Sequence, residues 1–97
     1  MQTTSTKTTV APAIIQSDIR AFIVENFMLG NDSGFDASES LLESGIIDST
    51  GIMHVVAFLE ERFGITVEDD DMVADNLESV QLIARFVESK MRRASAA

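Results

Sequence analysis

The sequence contains no cysteine, which excludes disulfide bonds, cysteine nucleophiles and cysteine ligands for a metal ion. It also has no apolar run long enough to span a membrane, and its first residues hold none of signal-peptide length. From the lack of such apolar runs we expect a cytoplasmic protein that does not act at a membrane, and from the start Met and the lack of a flanking domain we expect a stand-alone protein.

Basic residues are scarce. The 97 residues include 7 Lys and Arg against 16 Asp and Glu, which gives a net charge of −9. A chain this acidic lacks the positive surface that neutralises phosphates, so nucleic acid is excluded as a partner. The same charge is unfavourable beside anionic lipid. The expected partners are proteins with basic docking surfaces.

Apolar residues make up 45% of the chain, which is enough for one small core and too many for a wholly disordered chain. A Thr- and Ser-rich beginning and an Ala-rich end flank the part with periodic apolar residues. We therefore predict a disordered N-terminal tail at residues 1–12, one domain at residues 13–91 and a flexible C-terminal tail at residues 92–97. We expect this domain to be a monomer.

Apolar side chains recur at helical spacing in three segments. The apolar face of the first segment, which ends before Gly30 and Asn31, contains Ile15, Ile19, Phe22, Ile23 and Phe27. The second segment begins at Asp48-Ser49, and Gly64 is its predicted C-terminal cap; its stripe contains Ile52, Val55, Val56, Leu59 and Phe63. The last runs from about Ser79 to Met91, with one face formed by Val80, Ile83, Ala84, Val87 and Met91.

Two further features complete the predicted fold. Residues 30–48 form a long connection with a short helical turn near Ser40-Leu41-Leu42-Glu43. The sequence Thr66-Val67-Glu68-Asp69 resembles a capping box for a short helix around residues 69–76. The prediction is an all-α four-helix bundle: three main helices plus a short third helix, with a long loop between helices 1 and 2.

The dipeptide Asp48-Ser49 follows the loop sequence Leu41-Leu42-Glu43-Ser44-Gly45-Ile46-Ile47. Taken alone, Asp and Ser are ordinary residues for the start of a helix. The same helix, however, ends in Leu59-Glu60-Glu61-Arg62-Phe63-Gly64. The whole arrangement resembles the acyl carrier protein family, whose modification motif reads Asp-Ser-Leu after a loop of this kind.

The resemblance implies that Ser49 carries 4′-phosphopantetheine, taken from coenzyme A and joined through a phosphodiester, and that Asp48 supports the transfer. The thiol of this arm would hold an acyl or aminoacyl group as a thioester. Such a protein is not an enzyme; it delivers its cargo to enzymes of fatty acid, polyketide or related biosynthesis. Its implied partners are a phosphopantetheinyl transferase, a loading ligase and downstream synthases or transferases. Fatty acyl, polyketide and aminoacyl cargo all remain open.

Several residues near Ser49 are candidates for partner recognition. Thr50 replaces the Leu that is usual in the family, and Met53 lies one turn after Ser49, away from the apolar stripe. Residues 48–78 carry 9 acidic residues and 1 basic residue, so we expect the acidic surface to centre on the second and third helices. The candidate recognition residues are Thr50, Met53, His54, Glu60, Glu61, Asp69 and Asp70.

Three simpler interpretations are kept beside this one. His54 is the single histidine and has no second metal ligand nearby in the sequence, so we predict a surface residue rather than a catalytic one. The acidic run Glu68–Asp71 lacks the spacing of a calcium-binding loop, and no metal site is predicted. The alternative function is an acidic helical adaptor that binds a basic protein partner without a prosthetic group, with Asp48-Ser49 as a helix cap only.

Overall fold

The computed structural model describes residues 12–32 and 34–96, and within these ranges the chain forms helices and loops without a strand. The four α-helices are α1 (Pro12–Phe27), α2 (Ser49–Phe63), α3 (Ala74–Leu77) and α4 (Val80–Ala96). A 3₁₀ turn, Asp69–Asp71, lies between α2 and α3. The predicted all-α fold with a long first loop is confirmed. None of the described helices combines the length and hydrophobicity required to cross a membrane.

Helix α1 packs on the core through Ile15, Ile19 and Ile23, which are at most 1% exposed. These residues recur every four positions and therefore lie on one face. Pro12 was predicted to end the N-terminal tail, but it is the first residue of α1. Proline suits this position because the first helical N–H has no intrahelical acceptor. The rest of the predicted tail lies outside the described residues.

The C-terminal end of α1 differs slightly from the prediction. The helix ends at Phe27, and the left-handed conformation that turns the chain away begins at Leu29, with φ of +54°, before it reaches Gly30. The Gly30 N–H donates to the Val24 carbonyl at 2.9 Å. This bond from the end of the turn back into the helix satisfies a carbonyl that has no partner within α1.

The apolar stripe of α2 faces the core, and its buried members are Val55, Val56 and Leu59. Ile52 and Phe63, near the ends of the stripe, are half-buried. Gly64 follows the helix with φ of +67°, and its N–H donates to the Glu60 carbonyl at 3.0 Å. Glycine is favoured in this left-handed conformation, so the predicted C-terminal cap is confirmed.

Helices α1 and α2 run antiparallel, as two contacts show. Near the beginning of α1, Asp18 Oδ2 accepts a hydrogen bond from Arg62 Nη2 near the end of α2 at 2.6 Å. Further along, the rings of Phe22 and Phe58 stack with their centroids 4.1 Å apart. The last residue of α1, Phe27, therefore lies beside the first turn of α2, and this junction positions the candidate site.

The predicted short helix over residues 69–76 is instead split into the 3₁₀ turn and α3. The capping box is also displaced, because Glu68 rather than Thr66 precedes the turn and its N–H donates to Asp71 Oδ2 at 3.0 Å. The same carboxylate lies 2.7 Å from the Lys90 ammonium of α4. The hydrogen bond from Lys90, together with that from Glu68, lowers the pKa of Asp71. Contact with α4 thus fixes this segment in a register that local sequence did not indicate.

Helix α4 extends to Ala96, beyond the predicted end at Met91. The face predicted for it is buried at Val80, Ile83, Ala84 and Val87, and half-buried at Met91. Past Met91, Arg92 pairs with Glu88 at 3.8 Å and Arg93 donates to Ser89 Oγ at 3.5 Å. Side chains four residues apart stabilise a helix in this way, and basic residues are favourable at a C-terminal end. The predicted boundary at residue 92 therefore falls inside a helix, and the flexibility of the final residues stays a prediction.

The loop between α1 and α2 is folded onto the bundle. Phe35, Leu41 and Ile47 are buried in the core. The Leu41 N–H donates to the Glu78 carbonyl, just before α4, at 2.9 Å, and the Ile47 N–H donates to the Leu41 carbonyl at 3.1 Å. The helical turn predicted near Ser40–Glu43 is confirmed, because the Ser44 N–H donates to the Ser40 carbonyl at 3.0 Å.

An ion pair fixes the beginning of this loop to α1. Arg20 donates two hydrogen bonds to the Asp32 carboxylate, at 2.8 and 2.9 Å, and its guanidinium lies 4.0 Å from the centre of the Phe35 ring. Asp32 Oδ1 also accepts the Gly34 N–H at 2.8 Å. These hydrogen bonds, that from Arg20 above all, lower the pKa of Asp32 from 3.8 to about 2.

We predict that Asp32→Asn lowers the Tm at pH 7 by releasing this end of the loop. Because the pKa of Asp32 is lowered on folding, its charged form stabilises the folded state above about pH 4, and this contribution is lost as the pH falls toward 2. The Tm difference from the unmutated protein, measured by circular dichroism, should therefore shrink between about pH 4 and 2. The control is Glu25→Gln, which neutralises an exposed carboxylate of α1. A Tm difference that is the same at both ends of this pH range would contradict the prediction.

Candidate functional site

Asp48 forms the N-terminal cap of α2. Its backbone is extended, with φ −98° and ψ −177°, and its Oδ1 accepts the N–H of Gly51 at 2.8 Å. The Ile52 N–H donates to the Asp48 carbonyl at 3.1 Å and closes the first turn. The sequence left open which member of Asp48-Ser49 caps the helix; the structure assigns the cap to Asp48.

Ser49 is therefore the first residue inside α2 and is exposed to solvent. Its side chain is not required to cap the helix, because Asp48 already does so. The first-turn N–H groups and the positive end of the helix dipole favour a negatively charged group here. The sequence and the local fold thus leave an accessible hydroxyl at a position suited to a phosphate.

Gly51 follows Thr50 in the first turn of α2, where the sequence shows a glycine that weakens the helix but not what it contacts. It is buried, and a Cβ atom at this position would lie 2.6 Å from Ile47 Cγ2 and 2.9 Å from Phe27 Cε1. The last buried residue of the loop and the last residue of α1 therefore meet over the first turn of α2. Phe27 is distant in sequence and Ile47 lies in the loop before α2. Helix propensity therefore gives no indication that either residue contacts Gly51.

The outer face of α2 is less acidic than the sequence suggested. Thr50, Met53, His54 and Glu61 are exposed, and Met53 is 52% exposed. Met53 therefore lies away from the core, where its position one turn after Ser49 predicted it. Among these four residues Glu61 is the one acid, so most of this face is uncharged.

Glu60 differs from its neighbour Glu61. It is half-buried, and its Oε2 accepts the Val67 N–H at 2.9 Å. The Glu60 side chain thus holds the segment after α2 against the helix. It has a structural contact within the carrier, unlike an acid that only faces solvent. In the next segment Glu68, Asp69 and Asp70 are exposed, whereas Asp71 is paired with Lys90.

An apolar groove of about 320 Å³ begins on the side of α2 that faces α3. Ile52, one turn after Ser49, lines it together with Leu42 of the loop. Met72 and Val73, which follow the 3₁₀ turn, form the opposite wall. The groove therefore joins three segments next to the beginning of α2 into one mainly apolar surface, which Glu43 and Glu78 also line.

A second hollow, of about 340 Å³, lies on the side of α2 that faces α1. Phe27, Thr50 and His54 line it, and the imidazole of His54 stacks on the Phe27 ring with centroids 6.5 Å apart. His54 is thus an exposed residue packed on an aromatic ring. Across the two described ranges, no three His, Asp or Glu side chains are arranged to hold a metal ion.

Comparison with known proteins connects this geometry to a family. A family described as "Phosphopantetheine attachment site" matches residues 17–87, which include all of α2 and α3 and about the first half of α4. An acyl carrier protein from Exiguobacterium sp. strain AT1b is 33% identical over 75 residues, covering 76% of this chain and 90% of that protein. The chain belongs to the acyl carrier protein family.

Family membership confirms the predicted class and prosthetic group. The carrier is not an enzyme, and the group that serves this family is 4′-phosphopantetheine. The residues at the beginning of α2 fit such a group, because an exposed hydroxyl stands at a helix N-terminus and an apolar groove opens one turn away. When bound, the group supplies the thiol on which the cargo is held as a thioester.

We predict that the two residues of the motif have separate effects on stability. Asp48→Ala removes the cap of α2 and should lower the free energy of unfolding by about 0.5–2 kcal/mol. Ser49→Ala changes an exposed residue that does not cap the helix, so its effect should stay within about 0.5 kcal/mol. Urea unfolding of the apo carrier measures both. Equal losses for the two variants would show that Ser49 shares the capping role.

Proposed function

We propose that Ser49 is the attachment point of 4′-phosphopantetheine. The observation that supports this most strongly is its exposed hydroxyl at the first position of α2, directly after the Asp48 cap. Thr50 is also exposed, but it lies one helical step away, about 100° around the axis. Its branched Cβ crowds the hydroxyl, and no aspartate precedes it.

The reaction is a phosphoryl transfer to Ser49 Oγ. The serine oxygen forms a bond to the phosphorus of the pantetheine phosphate, the pyrophosphate bond of coenzyme A breaks, the nucleotide leaves, and the serine proton is lost. Asp48 Oδ1 accepts the Gly51 N–H, which gives the carboxylate a structural role at the cap of α2. In this proposal the transferase supplies the base and the metal ion, while the carrier supplies an accessible hydroxyl at the start of the helix.

We predict that Ser49→Ala abolishes the mass increase seen when the carrier is incubated with coenzyme A and a phosphopantetheinyl transferase. Thr50→Ala is the matched control, since it removes the neighbouring exposed hydroxyl and should leave modification intact. Intact-mass spectrometry measures both. Modification of the Ser49→Ala protein would contradict the proposed site, and no modification of the unmutated protein by several transferases would favour the adaptor function.

An acyl rather than an aminoacyl cargo is supported by the groove beside α2. Its walls are mainly apolar, at Leu42, Ile52 and Val73, with Glu43 and Glu78 also lining it, and an acyl chain extending from the arm gains free energy when it leaves water for the apolar part of this surface. An amino acid carries a charged ammonium group, which loses hydration against the apolar walls. Fatty acid or polyketide biosynthesis is therefore the proposed context. The monomeric state and the cytoplasmic location stay predictions.

Docking is proposed to combine an uncharged contact with acids beside it. Thr50, Met53 and His54 offer an uncharged, partly apolar contact next to Ser49, and methionine adapts readily to different surfaces. Glu61, Asp69 and Asp70 are the exposed acids that steer partners with basic patches. Glu60 takes a smaller part in docking than the sequence suggested, because it is engaged with Val67.

We predict that Glu61→Lys and Asp70→Lys each raise the KM of the carrier for its transferase or ligase by about fivefold, as expected for loss of an exposed ion pair. The effect should fade at high salt, because exposed charges are screened within about 8–10 Å. The matched control is Glu25→Lys, an equal charge reversal on α1. If the control changes KM as much as the other two, docking depends on net charge rather than on this surface.

A further inference from the structure

Gly51 is the third residue of α2, and its backbone does not require glycine. It has a helical conformation rather than a positive φ, so any L-amino acid could adopt it. Glycine destabilises a helix relative to alanine because it loses more backbone entropy on folding. Its presence at a position open to other residues indicates that the absence of a side chain is what matters.

The space that a side chain would occupy at Gly51 is already filled. A Cβ atom there would lie 2.6 Å from Ile47 Cγ2, 2.9 Å from Phe27 Cε1 and 3.3 Å from Asp48 Oδ1. Non-bonded carbon atoms prefer separations of about 3.5–4.0 Å. Any other residue at this position therefore forces a neighbour to move.

Of the two apolar neighbours, Ile47 has less freedom to move. It is 2% exposed, its N–H donates to the Leu41 carbonyl at 3.1 Å, and its branched Cβ restricts its rotamers. Phe27 borders the hollow of about 340 Å³, so its ring has room to shift. A methyl group at position 51 would therefore displace the backbone at Ile47.

A displacement of Ile47 reaches Ser49 through one intervening residue. Asp48 follows Ile47, and its bond to the Gly51 N–H at 2.8 Å sets the beginning of α2. Ser49 is the next residue along the chain. Its hydroxyl therefore moves whenever the loop end and the cap move.

We propose that Gly51 is a positioning residue for the transfer of 4′-phosphopantetheine to Ser49. The inference rests on the proposed attachment at Ser49. The missing side chain lets Ile47 pack on the first turn of α2, and this packing holds the serine hydroxyl in a fixed place. A transferase docked on the outer face of α2 then meets the nucleophile in one orientation.

The test measures the rate of transfer from coenzyme A over a range of apo-carrier concentrations. Gly51→Ala should lower kcat about tenfold or more, because a small displacement of a reacting atom is enough for such a loss. The KM should stay within about twofold, since the residues of the outer face are unchanged. Partial unfolding has the opposite signature: the carrier is the substrate, so an unfolded fraction raises the apparent KM and leaves kcat unchanged.

A second variant keeps the test decisive if Gly51→Ala does not fold. Ile47→Ala keeps the glycine and removes the side chain that packs on it, so kcat should fall without any steric clash. In the double variant the new methyl group at position 51 occupies the space vacated at position 47. The loss of kcat should then be close to that of one single variant rather than the product of the two.

An unmutated kcat for Gly51→Ala or for Ile47→Ala overturns the inference, and so does a double variant in which the two losses multiply. A loss that appears in KM alone also overturns it. If the unmutated carrier is modified at Ser49 in all these cases, the proposed function stands while the inference fails. If it is not modified at Ser49, the proposed function fails and the inference fails with it.

Discussion

The structure depends on the burial of apolar residues from the loop between α1 and α2. Phe35, Leu41 and Ile47 are buried among the helices, and burial of a side chain of this kind stabilises a protein by about 1.5–3 kcal/mol. Small domains are stable by about 5–15 kcal/mol in total, so these residues are indispensable. Ser49 follows Ile47 by two positions. Its place is thus set by the core and not by the helix alone.

The acidic residues of the carrier serve two different purposes. Asp32 and Asp71 pair with basic residues and fix the loop and the 3₁₀ turn to neighbouring helices, and Glu60 holds the chain after α2. Glu61 and Asp70 are exposed and form no ion pair with the residues that the structure describes. The net charge of −9 therefore overstates the charge available for docking. The exposed face of the first turns of α2, the proposed docking contact, is almost uncharged.

The sequence predicted those features that depend on neighbours along one helix. Apolar spacing indicated α2 and the buried face of α4, and Gly64 indicated the end of α2. The features that it missed depend on distant contacts. The ion pair between Asp71 and α4 sets the 3₁₀ turn, the bond from Val67 determines the role of Glu60, and the space at Gly51 is filled from the loop and from α1. The exposed Ser49 was predictable from its motif. The packing of Ile47 and Phe27 on Gly51 at the start of α2 was not.

The magnitudes explain why a glycine can stand in the first turn of α2 without loss of stability. Glycine lowers helix stability by about 0.5–1 kcal/mol relative to alanine. The burial of Ile47, which the absent side chain permits, contributes about 1.5–3 kcal/mol. The close packing therefore more than offsets the weaker helix. Functional sites often exchange stability for activity. If Gly51 positions Ser49 as proposed, the two requirements act in the same direction, because the contact that stabilises the loop also fixes Ile47, the residue before the Asp48 cap.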